Sequence, residues 1–123
     1  MPAPILATVF LGANDAALDT GASSRQHVPL RKFRANIEAI VVALKGHGVR
    51  HILLITPPPV DEPARLAAAE RRGQPTEEED VERKDAVTRQ YGAAVLEVHP
   101  FSRHACSCSW PCQGIERPTV GAL

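Results

Sequence analysis

The stretch Ile5-Leu-Ala-Thr-Val-Phe-Leu-Gly-Ala-Asn-Asp15 decides the fold class of this chain. Its first seven residues are mostly apolar, which is typical of a strand buried on both faces of a parallel sheet. Gly12 ends the apolar run, and a polar turn containing Asn14 follows. We therefore predict a buried strand over residues 5–11, with Asn14 just beyond its carboxyl end.

A helix is predicted after a long polar segment. Residues 13–28 have the composition of a surface loop. Pro29 then opens a helix, because its missing N–H costs nothing at the first helical position. Glycines 46 and 48 end the helix. Its apolar residues recur at steps of three and four and form one stripe: Leu30, Phe33, Ile37, Ile40, Val41 and Leu44.

A second buried strand is predicted over residues 51–56, and the prolines that begin at Pro57 end it. Strand, helix and strand make a βαβ unit, which predicts parallel strands joined by a right-handed crossover. Ligands bind such sheets at the carboxyl ends of the strands. Because Asn14 and residues 57–61 each follow a strand, we expect both at the same, ligand-binding edge.

The second half of the chain is less regular. Residues 61–80 are charged, and a short helix is predicted within them over residues 64–72. A further helix is predicted from a cap at Thr76 to about Tyr91. A third, weaker strand is predicted over residues 93–98. We therefore divide the chain into a domain, residues 1–98, and a divergent tail, residues 99–123, which we expect to be disordered.

Charge and hydropathy exclude several classes of function. Lysine plus arginine and aspartate plus glutamate number 14 each among 123 residues, so the formal net charge is zero. This balance argues against binding of nucleic acid, which needs a basic face, and against polybasic contact with a membrane. The sequence has no apolar run long enough to span a bilayer and no basic region before its first apolar residues. We predict a cytoplasmic location.

The cysteines Cys106, Cys108 and Cys112 all lie in the tail. Their spacing matches none of the usual zinc patterns, even if His104 is counted as a fourth ligand. We interpret them as incidental to function and expect neither a metal nor an organic cofactor. A zinc-binding tail is the alternative.

Three blocks of the sequence together resemble the SGNH/GDSL hydrolases, and among them the isoamyl acetate-hydrolysing esterases. The blocks are Phe10-Leu-Gly-Ala-Asn-Asp15, Gln26-His-Val-Pro-Leu30 and Ile52-Leu-Leu-Ile-Thr-Pro-Pro-Pro-Val-Asp-Glu62. The resemblance covers residues 5–98. It implies an α/β, three-layer, flavodoxin-like fold, here reduced to about three strands of a parallel sheet. It also implies hydrolysis of small carboxylic, acetate-type esters without a cofactor or metal.

The resemblance also implies roles for two residues. Asn14 matches the asparagine that donates to the oxyanion hole, and Gly12 matches the glycine of that turn. The family's nucleophilic serine lies in a Gly-Asp-Ser block, and its aspartate and histidine lie in an Asp-x-x-His block. Neither block occurs in this sequence, so the nucleophile stays unassigned. We therefore expect a central fragment of a lipase-like esterase that is inactive alone and self-associates through an exposed sheet edge.

Two alternatives stay open. One is an esterase with a relocated nucleophile, Ser23 or Ser24, and with His27 as its base. The other is a non-catalytic binding or regulatory module with the same fold, which pairs its open sheet edge with an intact relative. For all five histidines, the simpler interpretation is a surface or turn position: His27, His47, His51, His99 and His104.

Overall fold

The chain folds as a mixed α/β structure with a parallel sheet. The structure, a computed structural model, describes residues 2–20, 23–73 and 82–98 in full and the backbone of residues 104–106. The elements are β1 (Leu6–Phe10), a 3-10 turn (Ser24–Gln26), α1 (Leu30–Gly46), β2 (His51–Ile55), α2 (Glu62–Arg71), α3 (Asp85–Glu97) and β3 (His104–Cys106). The sheet has the order β1-β2-β3, and both pairs of strands are parallel.

The predicted βαβ unit is confirmed. Strands β1 and β2 pair in parallel from Leu6 opposite His51 to Phe10 opposite Ile55. Helix α1 follows Pro29 and ends at Gly46, and Gly48 then turns the chain with a φ of 82°. A positive φ favours glycine because it lacks a Cβ, which explains why the helix stops where the sequence predicts.

One hydrophobic core lies between the sheet and two helices. It contains Val9, Ile52 and Leu54 from the sheet, Phe33, Ile37 and Val41 from α1, and Tyr91, Ala94, Val95 and Val98 from α3. The rings of Phe33 and Tyr91 join the two helices, with centroids 5.1 Å apart and planes tilted by 53°. Aromatic pairs prefer such tilted contacts over face-to-face stacking. Helices α1 and α3 therefore form one layer on one face of the sheet.

The opposite face of β1 is open. Leu6 is 55% exposed and Phe10 is 56% exposed, whereas Val9 between them is buried. The prediction that this strand is buried on both faces is therefore wrong for the described residues. Helix α2 buries none of its own residues, and the exposure of Leu6 and Phe10 shows that it does not cover this face. The described part of the chain thus has one sheet and one helical layer, and the predicted third layer is not among these residues.

The predicted third strand is wrong. Residues 93–97 continue helix α3, which begins at Asp85, and Val98 is its C-cap. The buried positions Tyr91, Ala94, Val95 and Val98 follow one another at helical steps, and an apolar run this short fits a strand as well as a buried helix. The predicted cap at Thr76 lies outside the described residues.

A strand lies instead in the tail. Residues 104–106, where we predicted neither helix nor strand, pair with β2. The rest of the tail, with the disorder predicted for it, lies outside the described residues.

Helix α2 begins slightly earlier than predicted and is joined to the start of α3. The Asp61 carboxylate caps α2 by accepting from the Ala64 N–H at 3.0 Å. The Val60 N–H donates to Asp85 Oδ1 at 2.9 Å, and the Asp85 N–H donates to Glu62 Oε1 at 2.7 Å. These two hydrogen bonds hold the beginning of α2, and Val60 just before it, against the first residue of α3.

Candidate active site

A tight turn directly follows β1. Gly12 has a φ of 111°, and its carbonyl accepts from the Ala16 N–H at 2.9 Å. The Asn14 carbonyl accepts from the Ala17 N–H at 3.0 Å. Ala16 and Ala17 are fully buried, so the prediction of a surface loop is wrong for these two residues. The turn is anchored in the core, and its polar residue Asn14 is exposed.

A cleft of about 460 Å³ opens at the carboxyl ends of β1 and β2. Ala13 and Asn14 line it after β1, and residues 58–61 line it after β2. The structure thus brings together the two segments that the sequence predicts at one edge of the sheet. The rest of the lining comes from α2 and its C-cap, from α3 and from the segment that leads into α3: Ala64, Arg65, Ala68, Arg72, Arg83 and Thr88.

Arg83 makes the side-chain hydrogen bonds that hold the Asn14 side of this cleft, and no motif in the sequence points to it. Its Nε donates to the Ala13 carbonyl at 2.9 Å, and its Nη2 donates to Asn14 Oδ1 at 3.2 Å. Nη2 also donates to Gln26 Oε1. The residue is only 9% exposed. One guanidinium therefore holds the backbone and the side chain of the turn after β1, together with the segment that leads to α1.

The electrostatic setting of Arg83 is unfavourable for its charge. Burial lowers the pKa of the Arg83 guanidinium, and the neighbouring charge of Arg65 acts in the same sense, whereas Glu82 opposes both. The group nevertheless stays protonated, because an arginine pKa lies far above neutral pH. Its three hydrogen bonds to oxygen compensate for the water lost on burial.

The histidine that sequence analysis considered as a base has a different partner. Nδ1 of His27 lies 2.7 Å from the Ala17 carbonyl, which only accepts, so the ring N–H is at Nδ1. No hydrogen bond found among the described residues joins the hydroxyl of Ser23 or Ser24 to this ring. The described residues thus provide no serine–histidine contact to support the hypothesis of a relocated nucleophile.

The remaining histidines and the cysteines lie away from the cleft or outside the fully described residues, as His99 does. His47 is exposed and hydrogen-bonds the Ala43 carbonyl at 2.8 Å, in the turn where it was predicted. His51 is exposed at the start of β2, and His104 is described as backbone only. The residues that are described contain no cluster of three potential metal ligands. Of the cysteines, Cys106 is described by its backbone alone, and the other two lie outside the described residues.

No helix in the described part of the chain has the length and apolar character required to cross a bilayer. The predicted cytoplasmic location stays a prediction.

Comparison with known proteins identifies related esterases. Two Arabidopsis thaliana proteins, each named GDSL esterase/lipase, are 52% identical over 64 residues and 48% identical over 68 residues, which is 51% and 54% of this chain. A Bos taurus isoamyl acetate-hydrolyzing esterase 1 homolog is 35% identical over 100 residues, or 80% of this chain. The matches span 27%, 28% and 38% of the three relatives. No family model and no solved structure matches the chain.

A parallel α/β sheet with a polar cleft at its strand ends is the architecture of many hydrolases. The relatives place this chain within one group of them. By the sequence that it shares with these proteins, the chain belongs to the SGNH/GDSL hydrolase family.

Proposed function

We propose that this chain supplies an oxyanion-stabilising segment of an ester hydrolase that acts on small carboxylic, acetate-type esters. The observation that carries the proposal is the placement of Asn14. It follows β1 in a turn that Gly12 makes possible, it lines the cleft, and its side chain is held by Arg83. The names of the relatives support the substrate class, since one group is named for hydrolysis of isoamyl acetate.

Acyl transfer requires such a residue. When a nucleophile attacks an ester, the carbonyl oxygen becomes an oxyanion, and fixed N–H donors stabilise that charge. The primary amide of an asparagine provides two N–H donors. A donor held in place before the reaction costs no reorganisation in the transition state, which is why a turn anchored in the core suits this role.

The sequence of this chain lacks the blocks that supply the nucleophile and its base in the family. Its sequence contains no Gly-Asp-Ser and no Asp-x-x-His. Serine becomes nucleophilic only with a base in hydrogen-bonding reach. No hydrogen bond among the described residues joins Ser23 or Ser24 to His27, whose Nδ1 donates to the Ala17 carbonyl. We therefore propose that the chain has no hydrolytic activity alone and acts within a larger domain of the family. The expectation that it needs no metal or cofactor stays part of this proposal.

A chimera tests the role of Asn14. The matching 100-residue segment of the bovine homolog is replaced by the corresponding segment of this chain, and hydrolysis of isoamyl acetate is measured against the unaltered homolog. We expect the chimera to be active, and Asn14→Ala within it to lower kcat by about 10²–10³-fold, as for loss of one oxyanion donor. Asn36→Ala, at an exposed position of α1, is the matched control and should leave kcat unchanged. A folded chimera without activity, or an unchanged kcat in Asn14→Ala, contradicts the proposal.

The chain alone tests the second part. We expect the purified protein to hydrolyse p-nitrophenyl acetate no faster than buffer does. Turnover that exceeds buffer and disappears in Asn14→Ala would show a nucleophile within this chain. Labelling by a fluorophosphonate probe, followed by peptide mapping, would then decide between Ser23 and Ser24.

A non-catalytic binding module is the second candidate, and the open face of β1 favours it. Leu6 and Phe10 expose large apolar side chains there. Water contact with such a face is unfavourable, and a partner that covers it gains hydrophobic stabilisation. Co-purification with an intact esterase, combined with inactivity of the chimera, would support this function over the first.

A further inference from the structure

We infer that Arg83 is the positioning residue of the Asn14 amide: it fixes which end of that amide faces the cleft. The inference deepens the proposed function, because it assigns how the oxyanion donor is oriented. Nothing in the catalytic blocks of the sequence points to residue 83. Its partners Ala13, Asn14 and Gln26 all precede it by more than fifty residues, so only the folded chain brings them together.

The orientation follows from the chemistry of the two groups. A guanidinium has five N–H donors and no acceptor, whereas a primary amide has an oxygen acceptor at one end and an NH₂ donor at the other. Only the amide oxygen can therefore face Arg83, as it does at 3.2 Å. The Nδ2 group must point away from the guanidinium. If the amide were reversed, the N–H groups of Asn14 Nδ2 would face the N–H groups of the buried Arg83 guanidinium, and neither would have an acceptor.

The backbone is held by the same group. Nε of Arg83 donates to the carbonyl of Ala13, so the peptide that precedes Asn14 and the side chain of Asn14 are fixed together. The fork of a guanidinium makes this double contact with one rigid plane. A lysine at the same place keeps the positive charge but has no planar fork, so it cannot hold both oxygens in this geometry.

Arg83 is itself held in position. The carbonyl of the preceding residue, Glu82, accepts from the Leu18 N–H at 2.9 Å, which ties this segment to the loop after β1. Gln26 Oε1 accepts from the same Nη2 that donates to Asn14. The guanidinium is therefore held by contacts of its own side chain and of the preceding backbone, and the orientation of Asn14 does not depend on a bound ligand.

The sequence permits a direct spectroscopic test on the full, unliganded chain. Asparagine occurs only twice, at positions 14 and 36, so labelling with [15N]asparagine yields two side-chain NH₂ pairs in the NMR spectrum. A hydrogen bond to an amide oxygen from a cation increases the double-bond character of the C–N bond and slows rotation about it. We expect the Asn14 pair to exchange its two protons several-fold more slowly than the exposed Asn36 pair does.

Two variants of residue 83 and one matched control complete the test. Arg83→Gln and Arg83→Lys should both move the Asn14 pair toward the shifts and the exchange rate of the Asn36 pair. Arg31→Gln, which removes an equal charge from an exposed position of α1, should leave both pairs unchanged. Backbone amide shifts of the core residues report whether each variant is folded. Arg83→Lys keeps the positive charge, and the test is made with this variant if Arg83→Gln does not fold.

Specific results would overturn the inference. One is that the Asn14 pair exchanges its two protons as fast as the Asn36 pair in the unaltered protein. The other is that the Asn14 pair keeps its shifts and its exchange rate in folded Arg83→Lys. Either result shows that Arg83 does not orient the amide. Because the signal is read without any substrate, this test holds or fails independently of whether the chain takes part in ester hydrolysis.

Discussion

Gly12 lies against the ring of Phe33: a Cβ built on Gly12 would be 3.0 Å from Phe33 Cζ. The same Cβ would lie 3.4 Å from the Pro57 ring. The turn that presents Asn14 is therefore packed between Phe33, a core residue of α1, and Pro57, which follows β2. Close packing and a φ of 111° both require glycine at this position.

Gly12→Ala should lower the free energy of unfolding by about 2–4 kcal/mol, since it combines a disfavoured φ with a steric clash in the core. Gly46→Ala is the control: it lies in the last turn of α1 with nothing near its added Cβ, and it should stabilise the chain by about 0.5 kcal/mol. Urea denaturation measures both. Equal free energies of unfolding for the two variants would contradict the prediction, because they would show that the turn after β1 accommodates a Cβ at residue 12 without loss of stability.

Tyr91→Phe removes a hydroxyl that donates to the Val28 carbonyl at 2.6 Å. We expect a loss of about 1 kcal/mol in the free energy of unfolding at neutral pH, because the half-buried carbonyl is left without this donor. The hydroxyl joins α3 to the segment that enters α1. Denaturant titration of the two proteins at pH 7 provides the measurement, and equal midpoints would contradict the prediction.

The same residue predicts a dependence on alkaline pH. Burial, and secondarily the charge of Asp15, raises the pKa of Tyr91 above its ordinary value. A raised pKa gives stability that is complete below the unfolded-state value of about 10 and is lost as the pH rises through the folded-state value. The stability difference between the unaltered protein and Tyr91→Phe should therefore shrink above pH 10. Tyr91 is the only tyrosine, so tyrosinate absorbance follows its titration directly.

Asp85 predicts a dependence on acidic pH. Burial opposes its ionisation, but the Val60 N–H and the Arg89 side chain outweigh burial, and the pKa of Asp85 lies below its ordinary value. A lowered pKa gives stability that is present above the unfolded-state value of about 3.9 and is lost as the pH falls through the folded-state value. The stability advantage over Asp85→Asn should be constant near neutral pH and decline below about pH 4. An advantage that grows on acidification would reverse the sign and refute this account.

Leu6→Lys should reduce self-association. Leu6 lies on the open face of β1, and a lysine on an exposed strand opposes pairing with a second copy. Val42→Lys is the control, because Val42 is an exposed apolar residue on α1, away from the sheet. Light scattering after size exclusion, over a range of protein concentrations, measures the association. The prediction fails if the two lysine variants associate to the same extent.

The sequence predicts the βαβ unit well because its signals agree. The helical stripe of α1, the proline before it and the glycines after it all indicate one element with the same ends. The rule that parallel strands present their carboxyl ends at one edge then places Asn14 near residues 58–61, and the structure brings them together. Residues 93–98 were misassigned because a short apolar run does not distinguish a strand from a buried helix.

Arg83 could not be found from sequence pattern. It follows a charged segment, and nothing local distinguishes it from a solvated arginine. Its role depends on contacts with residues 57 to 70 positions earlier in the chain, and no spacing rule predicts such contacts. The open face of β1 was missed for a related reason: an apolar strand indicates burial but does not indicate what covers it.

The hydrogen bonds between Val60, Glu62 and Asp85 have a consequence for how the chain tolerates change. They join the beginning of α2 to the beginning of α3, so the two helices that line the cleft are held to each other at their N-terminal ends. The entropic cost of closing a loop rises only slowly with its length. Insertions or deletions between Gly73 and Glu82 should therefore accumulate among related proteins without altering the geometry around Asn14. Among related proteins, we therefore expect the number of residues between Gly73 and Glu82 to vary more than the residues around Asn14 do.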